Sequence, residues 1–241
     1  MKIYTLLLLL PFFSYSQKDL SKNIDAHVLS LLDSSNTMLK KNNIKALSYL
    51  KEVSKYEQKI TNDTVRLRFY SIAGYAYNTQ HSNYIALNYF YKQLELHQKL
   101  NPVASYKSYS NIGGVFFEMG NYKNARKFYN LGIDNLRKHH IPEEKIKGTL
   151  LYCNLSEIET KEGNYAKALT MLNEFLEYNI KAKDTINMIV GYEDLAIVND
   201  QLNDWKEAIK NLENGIKLAS ASGSDFDLAS LYNKLGIVYF N

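Results

Sequence analysis

The chain has 241 residues, 46% of them hydrophobic, with only 3 prolines and 11 glycines, a composition that predicts an ordered chain and excludes a collagenous or low-complexity one. Its formal net charge is +4, and the 29 basic residues are scattered among 25 acidic ones without a basic stripe of interleaved aromatics, so no nucleic-acid surface is expected. A single cysteine, Cys153, excludes an intrachain disulfide framework and a multi-cysteine metal site; without an activating base nearby it reads as a packed thiol.

The amino terminus reads as an address. Lys2 supplies a positive start, Tyr4 to Phe13 is apolar but short for a membrane span, and Ser14 and Ser16 place small residues before Gln17. We expect a signal peptide over residues 1–16, cleaved after Ser16, and an exported product, periplasmic or extracellular. An uncleaved anchor is the alternative. No later stretch is apolar enough for a membrane span.

From Asn23 to Lys41, residues Ile24, Val28, Leu31, Leu32, Met38 and Leu39 make one apolar helical stripe, and Ala46, Leu50 and Val53 mark its partner. Polar Ser30, Asp33, Ser34 and Thr37 make this first unit degenerate, as a terminal repeat with one open face can be. In the second unit Tyr70, Ala73, Gly74 and Tyr77 form the stripe, with Asn62 or Asp63 as cap and Ala86 and Phe90 on the second helix. Its turn, His81-Ser82-Asn83, lacks glycine. Asn101-Pro102 opens the third unit, where Tyr109, Ile112, Gly113 and Phe116 precede a break at Gly120-Asn121 and a second stripe of Ala125, Tyr129 and Gly132. The fourth carries Tyr152, Leu155, Ser156, Ala168, Leu172 and Phe175; the fifth carries Tyr192, Leu195, Ala196, Trp205, Ala208, Leu212 and Gly215. A further first helix has Tyr232, Leu235, Gly236 and Tyr239, and its partner alanine would fall beyond Asn241.

The small residues Ser34, Gly74, Gly113, Ser156 and Ala196 are each followed 12 positions later by an alanine, and those alanines are 40, 39, 43 and 40 residues apart. A fixed internal distance with drifting intervals predicts rigid helical hairpins on adjustable connections. The small residues would let paired helices press backbone to backbone. The longest interval falls around His139-His140-Ile141-Pro142. Expected domains are a capping repeat over 17–62, four hairpins over 63–224, and the first helix of a further repeat over 225–241.

These residues resemble the tetratricopeptide repeat, most strongly at Tyr109 to Tyr129 and again at Gly163-Asn-Tyr-Ala-Lys-Ala168. The family period is about 34 residues; spacing near 40 points to the extended repeats of bacterial sensors and peptide-responsive regulators. Glu159 and Asn199 stand where the family has an aromatic residue. The resemblance implies an all-α, right-handed superhelical solenoid of antiparallel hairpins, whose first helices line a concave groove. It places Arg68, Ser71, Tyr75, Asn78, Lys107, Ser110, Phe117, Glu118, Glu157, Lys161, Glu193, Asp200 and Asn233 there. Tyr75 and Phe117 would anchor a protein or peptide, and Arg68 and Lys107 would meet a carboxylate; plain solvation of each is the alternative.

The motifs of enzymes are not found. Adjacent His139 and His140 diverge by about 100° on a helix. Glu143-Glu144 suit a helix start, and no phosphate loop, nucleophile elbow or HExxH occurs. The expectation is a non-enzymatic scaffold without cofactor or metal, binding a protein or peptide. The alternative is the extracytoplasmic sensing region of a membrane histidine kinase or transcription regulator.

Overall fold

The computed structural model describes residues 10–39 and 41–240, with the side chains of 23–39 and 41–240. The first nine residues of the expected 1–16 leader lie outside the described residues, and residues 10–16 enter only as helical backbone. Among the described residues there are twelve α-helices and no strand. They are α1 (Leu10–Leu39), α2 (Asn43–Ser54), α3 (Asp63–Asn78), α4 (Asn83–Leu100), α5 (Ser105–Glu118), α6 (Tyr122–Lys138), α7 (Glu143–Lys147), α8 (Leu150–Lys161), α9 (Tyr165–Ala182), α10 (Thr185–Gln201), α11 (Trp205–Ser222) and α12 (Asp225–Phe240). None of the described helices is long and apolar enough to cross a membrane.

The chain forms two compact units, Met1–Ser108 and Tyr109–Asn241. In the first, Val28 and Leu32 of α1 meet Leu50 and Val53 of α2, Phe69 and Ala73 of α3 and Leu96 of α4 in one apolar core. In the second, Ala168, Leu172 and Phe175 of α9 pack with Leu195 and Val198 of α10. Ala196 on the same helix joins Ala208 and Leu212 of α11 and Leu231 of α12. Within these clusters, neighbouring helices of the same unit share apolar surface.

One turn closes four of the hairpins. A left-handed residue, His81 (φ 54°), Gly120 (φ 70°), Gly163 (φ 80°) or Asn203 (φ 58°), follows the first helix. The next residue donates its N–H five residues back: Ser82 to Tyr77, Asn121 to Phe116, Asn164 to Glu159 and Asp204 to Asn199, all at 2.8–2.9 Å. These bonds satisfy carbonyls that the helix end would leave unpaired. Asn121 and Asp204 then cap the second helix by accepting from the N–H three residues on. His81 takes the same geometry without glycine, at a steric cost that its Cβ imposes. His81→Gly is therefore expected to stabilise the chain by about 0.5–1 kcal/mol, read as a higher urea midpoint at unchanged slope.

The close approach inside the hairpins differs from the expected one. A Cβ built on Gly113 would stand 2.4 Å from the Tyr129 ring, and one on Gly74 2.4 Å from the Phe90 ring. The missing side chain thus admits an aromatic ring sixteen residues on, one turn beyond the alanine, instead of another backbone. Where the small residue has a Cβ, as in Ser156 and Ala196, the residue sixteen on is leucine: Leu172 and Leu212, both fully buried. In the first hairpin the buried small residue is Ser35, whose hydroxyl donates to the Ala46 carbonyl at 3.1 Å. Ser34 bonds back to Ser30 in its own helix. The buried Ser35 precedes its alanine by 11 positions, a register shift of one.

A second pairing runs at twelve residues. Tyr77 stacks on Tyr89 with centroids 5.8 Å apart, and Phe116 on Phe128 at 5.4 Å. The next residue of that series is Glu159, 2% exposed, and it is held by ions instead of rings. It accepts from Arg126 of α6, from Lys167 at 2.8 Å and from Asn164 at 2.9 Å. Burial alone would raise its pKa; the bonds from Lys167, Arg126 and Asn164 outweigh that and hold it down at about 2.

Candidate functional site: two clefts along α8, α10 and α12

The faces of α8, α10 and α12 follow from the repeat register. Counting from the small residue as zero, position +1 is Glu157, Ile197 and Ile237; position +4 is Phe117, Thr160 and Asp200; position −2 is Asn154, Asp194 and Lys234. One turn separates −2 from +1 and +1 from +4, so the three share a face. Residues of this face line two small clefts.

The first cleft, about 210 Å³, is walled by Phe117, Leu172 and Ile197 and floored by Ser156, Glu157 and Asp194, with Thr160 and Lys161 at its edge. Phe117 is itself braced against Tyr122, centroids 5.3 Å apart. Asp194 is 8% exposed. Its Oδ2 accepts from the Cys153 thiol at 2.9 Å. Burial pushes that thiol's pKa well up, with Asp194 adding to the effect, so Cys153 is a protonated donor and not a nucleophile. Burial is also the main reason both carboxyls titrate above the ordinary carboxylate range; Asp194 raises Glu157 further, while Lys161 and Lys234 oppose the shift from a distance. The neighbouring carboxylate, Glu193, has its own partners: Lys234 at 2.9 Å and the Ser230 hydroxyl at 2.7 Å.

The second cleft, about 230 Å³, shares Ile197 as a wall and is otherwise formed by Ala196, Leu212, Ile237 and Val238, with Asp200 and Lys234 as its polar members. Both volumes fall below the roughly 300–1,000 Å³ of small-molecule sites. They suit single side chains.

The structure brings Phe117, Glu157 and Lys161 together in the first cleft and puts Asp200 in the second. Glu118 and Asn233 are exposed and line neither. Glu193 and Asn233 sit at position −3; their neighbours Asp194 and Lys234, at −2, are the ones that reach the clefts. That one-residue difference rotates a side chain by about 100°. A polar residue against the apolar run Leu195-Ala196-Ile197-Val198 was the signal that could have marked Asp194.

In the first unit Tyr75 is 59% exposed on α3, Ser71 and Asn78 are half-buried, and Arg68 is ion-paired with Asp33 of α1. Lys107 is exposed, with its Nζ 6.0 Å from the Tyr106 ring centroid. In the second unit Ser110 accepts from Asn154 at 3.4 Å. Among the described residues no group of three His, Cys, Asp or Glu side chains is arranged to hold a metal ion.

No known family profile matches the sequence, and no curated protein matches it. Solved structures do. The chain is similar to aspartyl phosphate phosphatase F from Bacillus subtilis (TM-score 0.72, 10% identity, 94% of this chain and 59% of that one). It is similar to NprR in complex with its cognate peptide NprX (TM-score 0.64, 15% identity, 89% and 62%). It is also similar to a signal transduction ATPase with a tetratricopeptide repeat sensor from Pyrococcus horikoshii (TM-score 0.62, 18% identity, 90% and 34%). The chain spans between a third and under two thirds of the length of these three. At such identities the likeness is one of fold.

Proposed function

We propose that this chain, a helical-repeat protein of the tetratricopeptide type, is an exported scaffold that binds a protein or peptide along the exposed faces of its first helices. The observation that carries the reading is the pair of side-chain-sized clefts on α8, α10 and α12, braced by Phe117 and divided by Ile197. NprR, similar in fold, is solved with its peptide bound. Export rests on Lys2, the apolar run to Phe13, and Ser14 and Ser16.

The double variant Tyr75→Ala/Phe117→Ala tests it. Aromatic anchors in such interfaces carry about 2 kcal/mol or more each, so a partner captured by the wild-type chain should be lost from the variant while its helical circular dichroism is unchanged. Equal capture by both proteins would remove the groove assignment. A second reading, the sensing region of a membrane signalling protein, is favoured by α12. Its Tyr232, Ile237, Tyr239 and Phe240 are exposed apolar surface, and a Cβ on Gly236 would meet open space. An in-frame membrane span and output domain in the DNA after codon 241 would support that reading; a stop codon would remove it.

A further inference from the structure

Among the described residues, no cation is paired with the two carboxyls of the first cleft. Among the described residues Glu157 makes no hydrogen bond and no ion pair. Asp194 is more than nine-tenths buried, lines the cleft, and engages only Oδ2, with the Cys153 thiol; its Oδ1 has no partner. Lysines stand near without reaching. Lys234 is committed to Glu193, and Lys161 is exposed at the rim and forms no ion pair among the described residues. Two carboxyls facing one small space, between walls of Phe117, Leu172 and Ile197, are costly to ionise without a counter-charge. The second cleft, across Ile197, is mainly apolar. An extended chain puts residues i and i+2 on the same side, so two adjoining clefts can take alternate side chains.

We propose that the first cleft takes one cationic side chain, lysine or arginine, from a partner peptide, whose residue two places away puts an apolar side chain into the second cleft beside Ile237. This deepens the groove reading above and rests on it. A cation entering beside Glu157 and Asp194 favours their ionised forms, so binding near neutral pH releases a proton to solvent. Other titratable groups face the pair. They are Tyr129 from α6, Cys153 and Lys161 from α8, Glu193 from α10 and Lys234 from α12. Burial and neighbouring acids raise Tyr129 and Cys153, which therefore stay protonated. Neither supplies the released proton.

A random heptapeptide library displayed on phage, panned on the full chain, tests this. Enriched sequences should carry lysine or arginine with a large apolar residue two places away. In a synthetic copy of the tightest peptide, norleucine for lysine should weaken binding by roughly 30-fold or more. Calorimetry in two buffers of different ionisation enthalpy should show proton release for the lysine peptide and none for norleucine. Glu157→Gln/Asp194→Asn should bind both peptides alike. Glu157→Gln alone, which alters a less buried residue, should narrow the difference if the double variant does not fold. Enrichment without a cation, or equal lysine preference in wild type and a folded variant, would overturn the cation site while leaving the groove. No enrichment at all would overturn the groove reading and the cation site together.

Discussion

Gly113→Leu should destabilise the chain by about 3–5 kcal/mol, more than ordinary overpacking, which costs about 1–3 kcal/mol. The reason is which atom meets the new side chain. Even a Cβ would stand 2.4 and 2.5 Å from two carbons of the Tyr129 ring, before any branch of the leucine is added. Tyr129 is only 1% exposed and cannot swing into solvent without leaving a void. Either α5 and α6 separate or the ring is expelled, and both forfeit buried surface. The intrinsic preference of helices for leucine over glycine, just under 1 kcal/mol, does not compensate. The chain itself supplies the rescue: Ser156 with Leu172 is the same pair of positions filled by a larger small residue and a smaller large one. Gly113→Ser/Tyr129→Leu should therefore be more stable than Gly113→Ser alone, with a coupling of about 1–3 kcal/mol. Urea denaturation of the wild type, Gly113→Ser, Tyr129→Leu and the double variant measures it. An unchanged midpoint for Gly113→Leu would mean that the ring does not sit against that glycine in solution.

That pairing shows how far the residues alone could be read. The hairpins were legible because Ala46, Ala86, Ala125, Ala168 and Ala208 sit 12 positions after a small residue, and all five are fully buried. Its cause was not legible, because spacing shows that a side chain must be absent without showing what fills the room. Tyr129 and Phe90 could have been found by noticing that glycine at zero goes with an aromatic residue at +16, and serine or alanine with leucine. On α10 and α12 the residues expected in the site, Glu193 and Asn233, stand one residue before Asp194 and Lys234, which line the clefts. A helix face is a band, and choosing between −3 and −2 needs to know which way the hairpin leans on its neighbour. Glu193 and Asp194 are adjacent acids with opposite fates, one closed off by Lys234 and Ser230, the other left open in the cleft. The short helix α7 was foreshadowed by the 43-residue interval, but nothing in the spacing told a helix from a loop.

Glu159 was flagged by sequence as a misfit among aromatic positions, and it sets the second large effect. Its carboxylate is 2% exposed and receives Arg126, Lys167 and Asn164. The folded protein holds its pKa at about 2, against about 4.3 for an unperturbed glutamate. A depressed acid stabilises the fold above its unfolded pKa, and that contribution fades as pH falls toward the folded value. Two units correspond to about 3 kcal/mol at neutral pH; solvent reaching Arg126 and Lys167 lowers the expectation to about 2–3 kcal/mol. Glu159→Gln mimics the protonated group, so it should lose that amount at pH 7. The gap to the wild type should close progressively below pH 5, as the wild-type carboxylate takes up a proton with a folded pKa of about 2. Arg126→Met should cost less than Glu159→Gln, because Lys167 and Asn164 remain on the carboxylate. Guanidinium denaturation at pH 7, 5, 4 and 3 reads the difference directly. A gap that stays constant across that range would mean that Glu159 contributes by shape and not by charge.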